Sequence, residues 1–195
     1  MTDKTLSLEP EHGSERAEPP PLFPCAWLPS PGHYTVAESS SIVELATRLG
    51  PFTTLRSRLT LAEARLDVDS GTATDASGKG TLDFVLDAAS ARRRGLRGSR
   101  GLDAERHPAV RFVAGELEPR GDDERFTARG SLLLRGKRFP ASLRVRVVAR
   151  TEHSLLVLGT AILPYRALRR ATGFTLPLTA PAARLRLLFA AEFTR

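Results

Sequence analysis

From Tyr34 to the last residue the dominant hydrophobic period is two rather than 3.6. In LDFVLDAAS, Leu82, Phe84, Leu86 and Ala88 alternate with Asp83, Val85, Asp87 and Ala89. In RFTARGSLLL, Phe126, Ala128, Gly130, Leu132 and Leu134 share one face. SLRVRVVAR sets Leu143, Val145, Val147 and Ala149 against Arg144, Arg146, Val148 and Arg150. ARLRLLFAAEF sets Leu185, Leu187, Phe189, Ala191 and Phe193 against Arg184, Arg186, Leu188, Ala190 and Glu192. Successive side chains of a strand point to opposite faces, so these runs predict strands with one face in a core and one in water. Turn residues separate them: DSG at 69–71, SGKG at 77–80, RGDDE at 120–124, RGK at 135–137 and TLPLTAP at 175–181. Helical spacing is confined to YRALRRA at 165–171, where Tyr165, Leu168 and Ala171 share a face, and to a turn or two within 90–106. About eight strands at short spacing predict an antiparallel sandwich or a closed barrel.

The inward parity is dotted with small residues: Ala88, Ala114, Ala128, Gly130, Gly159 and Ala161. Either they pack a dry core, or they leave room inside an eight-stranded barrel, which is just wide enough for one ligand. On the second reading the ligand-lining candidates are the larger residues of the same parity: Phe84, Leu86, Phe112, Phe126, Leu132, Val145, Val157, Leu187 and Phe189.

Residues 1–33 differ from the rest. They hold seven prolines, which deny backbone donors to helix or strand, and carry a net charge of −3. They are predicted to be a proline-rich acidic tail, mobile or pinned near Phe23 and Trp27, ahead of a barrel domain at 34–195. The whole chain carries +7, so residues 34–195 carry +10, almost all of it arginine: the only lysines are Lys4, Lys79 and Lys137. Such charge suits nucleic acid or an anionic lipid surface, but the arginines are spread over many strands rather than gathered into one stripe. There is no apolar run near 20 residues, hence no integral membrane segment. The first residues lack the basic end and apolar stretch of a secretory signal, which predicts a cytoplasmic protein.

Little in the chain suggests catalysis. Cys25 is the only cysteine, and His12, His33, His107 and His153 lack the HxH or HExxH spacing of a zinc site, so neither metal nor cofactor is expected. No GxSxG elbow, Walker loop or dinucleotide fingerprint is present. The glycines of RRRGLRGSRG at 92–101 lack the Lys-Ser/Thr and the strand-to-helix context of a phosphate loop. Asp83 and Asp87 fall on the outer face of one strand, with no dry pocket to raise a pKa.

Several segments, in order, carry a resemblance: YTV at 34–36, VEL at 43–45, FTTLRSRL at 52–59, SGTAT at 70–74, LDFVLDAAS at 82–90, LDAERHPAVRF at 102–112 and GSLLLRGKRFPASL at 130–143. Together they are similar to the YceI-like family, the lipocalin-like polyisoprenoid-binding proteins of bacteria, over roughly residues 34–195. The resemblance implies an all-β, antiparallel eight-stranded lipocalin-like barrel closed around an apolar tunnel. It makes Glu105 and Arg106 a surface or rim pair, has Pro108 fix the approach to a strand, and turns Val110 and Phe112 inward. The sequence departs from the family pattern at Ser40 and Leu49, where histidines are usual. It departs again at Gly95-Leu96-Arg97, at Gly101-Leu102 and in ILPYRALRRATGF.

The expected activity is therefore non-enzymatic binding or carriage of a long apolar chain, an isoprenoid or fatty-acyl lipid. Arg94, Arg97 and Arg106 are the head-group candidates, because guanidinium forks match phosphate oxygens. The alternative is an arginine-rich module with a solid core that binds an anionic partner such as nucleic acid through residues 92–106. Single-strand binders interleave aromatics with basic residues, and 85–106 contains no aromatic, which makes nucleic acid the weaker partner. The oligomeric state stays open at this stage, a dimer included.

Overall fold

The computed structural model describes residues 31–49, 51–69, 80–93, 101–120, 124–176 and 182–195. The predicted tail, with Cys25 and Trp27, lies almost wholly outside these residues.

Eight strands run in sequence order: β1 (Gly32–Leu49), β2 (Phe52–Val68), β3 (Gly80–Asp87), β4 (Ala109–Pro119), β5 (Arg125–Leu134), β6 (Lys137–Arg150), β7 (Ser154–Pro164) and β8 (Arg184–Thr194). Each pairs antiparallel with the next, and β8 pairs with β1 from Thr35↔Thr194 to Arg48↔Arg184, closing the barrel. Closure leaves no edge strand for another chain to extend. β1 begins at Gly32, two residues before the predicted domain start, with Gly32 opposite Val68 and His33 opposite Asp67.

Local chemistry fixes the register. β5 and β6 are joined by Arg135 and Gly136, with φ of 54° and 71°. Two positive φ values make a type I′ turn, whose twist matches that of the flanking strands. Leu134 therefore pairs with Lys137, and below the turn the inward residues of the two strands face each other, as Phe126 faces Val145 and Leu132 faces Phe139. β6 has a bulge between Val147 and Ala149, so Val147 is buried while Ala149, predicted inward, is exposed. An extra residue in one strand reverses the parity beyond it.

The small inward residues do not open a tunnel. A Cβ on Gly130 would lie 2.0 Å from the Val113 carbonyl oxygen and 2.7 Å from the Ala114 Cα. Gly130 is thus small because β4 passes close by at its own bulge, between Ala114 and Glu116. At Gly159 the Leu143 side chain fills the space, 3.1 Å from where a Cβ would sit. In mid-barrel Phe84 stacks on Phe112 of the neighbouring strand (ring centroids 5.1 Å) and, across the interior, on Phe189 (5.0 Å). Phe189 meets Phe193 at 6.3 Å. The large residues thus fill what the small ones concede.

One barrel end is capped by elements outside the sheet. A short 3-10 helix (Ala88–Arg93) follows β3, the turns at 101–107 lead into β4, and helix α1 (Tyr165–Thr172) follows β7 and packs against β6 and β7. Leu168 and Thr172 face inward from α1, one turn apart; Ala171, expected to share that face, is exposed. Gly173, at φ 73°, ends the helix and donates its N–H to the Arg169 carbonyl. The Thr172 hydroxyl donates to the Leu168 carbonyl and accepts from the Phe174 N–H, which turns Phe174 back into the barrel mouth.

Candidate functional site: the capped end of the barrel

All nine predicted lining residues are buried and point into the barrel. They do not form one tunnel. Phe84, Phe112 and Phe189 make the aromatic layer, while Leu86, Leu132 and Leu187 lie one layer nearer the cap. Those three line an apolar void of about 40 Å³, together with Leu45, Leu59, Val110, Leu163 and Leu185. Its roof is Leu102, Leu168 and Phe174. Pockets for drug-sized ligands run roughly 300–1,000 Å³, so the void is far smaller than such a pocket. Phe126, Val145 and Val157 contribute to the core elsewhere in the barrel.

Polar contacts at the rim hold the roof. Asp103, at φ 53°, accepts at its carbonyl the N–H groups of Arg106 (3.1 Å) and His107 (2.8 Å). Its carboxylate lies 3.4 Å from the Arg135 guanidinium, which also donates to the Gly173 carbonyl. Arg135, set by the β5–β6 turn, thus ties the 101–107 turns to the end of α1. Both partners are largely shielded, with side chains 22% and 12% exposed, so this pair is screened less than a surface one. The Pro108 carbonyl accepts the Ala88 N–H at 2.9 Å, seating the 3-10 helix beside the start of β4. Glu105 and Arg106, expected as a surface or rim pair, are both exposed and make no ion pair with each other; the anchoring carboxylate is Asp103. The sequence hinted at this only through an aspartate ahead of the turn and an Arg-Gly hairpin 32 residues later. Of the head-group candidates, Arg106 stands exposed on the rim, and Arg94 and Arg97 lie outside the described residues.

The outer face carries its own electrostatics. On β4 and β5 the arginines are matched. Arg111 bonds to the Asp83 carboxylate, and that hydrogen bond, with the attraction behind it, raises the guanidinium pKa above its ordinary value. Glu118 does the same for Arg129 at 2.6 Å. Asp87, the other outer-face carboxylate, accepts the Ala89 N–H and starts the 3-10 helix. Among the described residues no three His, Cys, Asp or Glu side chains cluster as metal ligands would, and no helix is long and apolar enough to cross a membrane.

A closed eight-stranded antiparallel barrel with an apolar interior and a short helix over one mouth is a lipocalin-like architecture. The chain belongs to the YceI-like domain family, whose family model matches residues 34–183. Solved structures share the fold at low identity. BcnA of Burkholderia cenocepacia aligns with TM-score 0.59 and 18% identity, over 80% of this chain and 98% of that one. A mutant CJ YCEI protein for nanotechnology applications gives 0.55 and 13%, over 76% and 88%. A polyisoprenoid binding domain from Saccharophagus degradans, implicated in plant cell wall breakdown, gives 0.50 and 9%, over 83% and 97%. No curated protein sequence matches significantly.

Proposed function

We propose that this chain binds an apolar chain of isoprenoid or fatty-acyl type without chemically changing it, and that the ligand enters at the capped end. The supporting observation is the void itself: its lining is wholly apolar, and its roof comes from residues outside the sheet. The barrel wall is cooperative and closed, whereas the roof can lift by breaking the Arg135 contacts and unpacking Leu102, Leu168 and Phe174. Polyisoprenoid binding by the Saccharophagus domain makes an isoprenoid the first ligand to try. Each methylene buried once the roof lifts would gain roughly 0.8 kcal/mol before ordering costs. Arg106 at the rim, with Arg94 and Arg97 of the same connection, would meet an anionic head group.

The test is titration of the full chain with a fluorescent isoprenoid or fatty-acid probe, alongside native mass spectrometry of protein purified from its own host. Saturable uptake and a co-purifying lipid mass are expected. No uptake at any useful concentration and no adduct would leave a solid barrel and overturn the reading.

A further inference from the structure

Several arginines that make no ion pair among the described residues stand together on one side of the barrel. On the outside of β7, Leu156, Leu158 and Ile162 are 37%, 48% and 57% exposed, and Val148 of β6, beside them at the bulge, is 46% exposed. Arginines flank this strip on both sides. Arg144 pairs in register with Thr160, and Arg146 with Leu158; from β8, Arg186 pairs with Ile162, and Arg184 with Pro164. Arg48 of β1 extends the row beside Arg184. The arginines, with Leu158 and Ile162, line a groove of about 950 Å³ that has no carboxylate among its described lining residues. Arg144, Arg146, Arg184 and Arg186 make no ion pair among the described residues, unlike Arg111 and Arg129. Among the described acids, Glu118 holds Arg129, Glu124 stands exposed next to Arg125, the partner in register of Arg146, and Glu192 sits opposite Leu156 at the far end of the strip.

We infer that this β6–β8 face docks onto an anionic lipid bilayer, with Leu158 and Ile162 entering the interface and the flanking arginines meeting phosphate groups. Scattered exposed aliphatics need no explanation, but a contiguous strip rimmed by polar groups marks an interaction surface. The charge selects the occupant. A second copy of the chain would oppose arginine to arginine. A nucleic acid would use the cations but has no use for an aliphatic strip, and the described aromatics of β6, β7 and β8 are buried, leaving only Phe52, at the β1–β2 turn beyond Arg48, exposed near this row. A bilayer interface uses both, because its surface is anionic and accepts aliphatic side chains just beneath the phosphates. Arginine suits the role through its bidentate match to phosphate. This inference is independent of whether the barrel interior takes a ligand.

The experiment is flotation of the full chain with phosphatidylcholine vesicles, with or without one-third phosphatidylglycerol. Binding is expected only to the anionic vesicles, weakening as salt is raised. The double variant Arg144→Gln/Arg186→Gln should lose roughly 30-fold in affinity, at about fivefold per arginine near such a surface. The double variant Leu158→Ser/Ile162→Ser keeps every charge and should also bind vesicles less, while its binding to a single-stranded DNA oligonucleotide stays at the parent level. All four side chains point outward, so unchanged circular dichroism will show that both variants fold. Absence of binding to anionic vesicles, or vesicle binding indifferent to the Leu158/Ile162 change, overturns the inference. DNA binding tighter than vesicle binding would assign the face to nucleic acid instead.

Discussion

Phe84 is the side chain on which the interior turns. It is 1% exposed, and its ring lies between Phe112 at 5.1 Å and Phe189 at 5.0 Å, so one residue ties β4, through β3, to β8 across the barrel. Phe84→Ala removes the transfer energy of the ring and both stacks, and leaves a hole between two rigid partners. Core Phe→Ala changes cost roughly 3–5 kcal/mol, and each aromatic pair adds about 0.5–1.5 kcal/mol beyond burial. The closed barrel gives Phe112 and Phe189 little freedom to collapse, so the loss should fall near the upper end, about 4–5 kcal/mol. At roughly 2–4 °C per kcal/mol for a domain of this size, Tm should fall by about 8–20 °C. Urea and thermal unfolding followed by circular dichroism measure both, with an unchanged m-value showing that the barrel still unfolds as one unit. The vacated space lies one layer below the void lined by Leu86 and Leu187. An apolar cavity of this kind stays dry and accepts apolar molecules, so a short alkyl or aromatic ligand should stabilise the variant more than the parent. At a hundredfold excess over Kd the recovery is about 2.7 kcal/mol. A loss within about 0.5 kcal/mol, the range of ordinary surface changes, would refute the idea that the aromatic layer is the structural centre.

Three other outcomes follow from the same geometry. Gly130→Ala should cost at least roughly 1–3 kcal/mol, as overpacking does, because its Cβ meets β4 backbone rather than a movable side chain; a Tm equal to the parent's would contradict it. Arg135→Ala cuts the tie between Asp103 and Gly173 and should speed uptake of a fluorescent acyl probe in stopped-flow mixing while changing barrel stability by only about 1–3 kcal/mol; unchanged uptake rates would show that the roof is not the gate. Phe112→Asp puts an unpaired charge beside Phe84, where burial is costly, and a folded variant should lose probe uptake, whereas Arg111→Glu on the opposite parity should keep it; equal uptake by Phe112→Asp and the parent would remove the interior from the ligand site.

The wall of this barrel was legible because period-two patterning and turn residues are local signals. β3, β5 and β8 run with the parity read from their sequences, and the Arg135–Gly136 hairpin lies where RGK predicts a turn. Bulges were not legible: Ala149 is exposed because one residue at Val148 is not paired, and no composition cue marks that slip. The small residues of the interior left two readings open. Gly130 and Gly159 looked like room for a ligand, but smallness records the distance to whatever lies opposite, which is β4 backbone in one case and Leu143 in the other. The roof escaped for a related reason. Asp103, Arg135 and Gly173 are far apart in the chain and meet only once the strands fix where each loop ends.

Alternation also explains how one sheet carries two surfaces with different chemistry. Along β7, Leu155, Val157, Gly159, Ala161 and Leu163 enter the core, while Leu156, Leu158, Thr160 and Ile162 face out. Beside them Leu188 and Ala190 of β8 widen the apolar strip, while Arg144, Arg146 and Arg186 border it; an outer face selected only for solubility would read polar at all four β7 positions. Only threonine at 160 does so. A register slip of one residue would exchange the two sets, but the type I′ turn at Arg135–Gly136 and the ladder from β6 through β8 to β1 hold them apart. The outward aliphatics of β7 are therefore a built feature of the closed barrel rather than leftover core, and Arg144, Arg146, Arg184 and Arg186 beside them make no ion pair among the described residues.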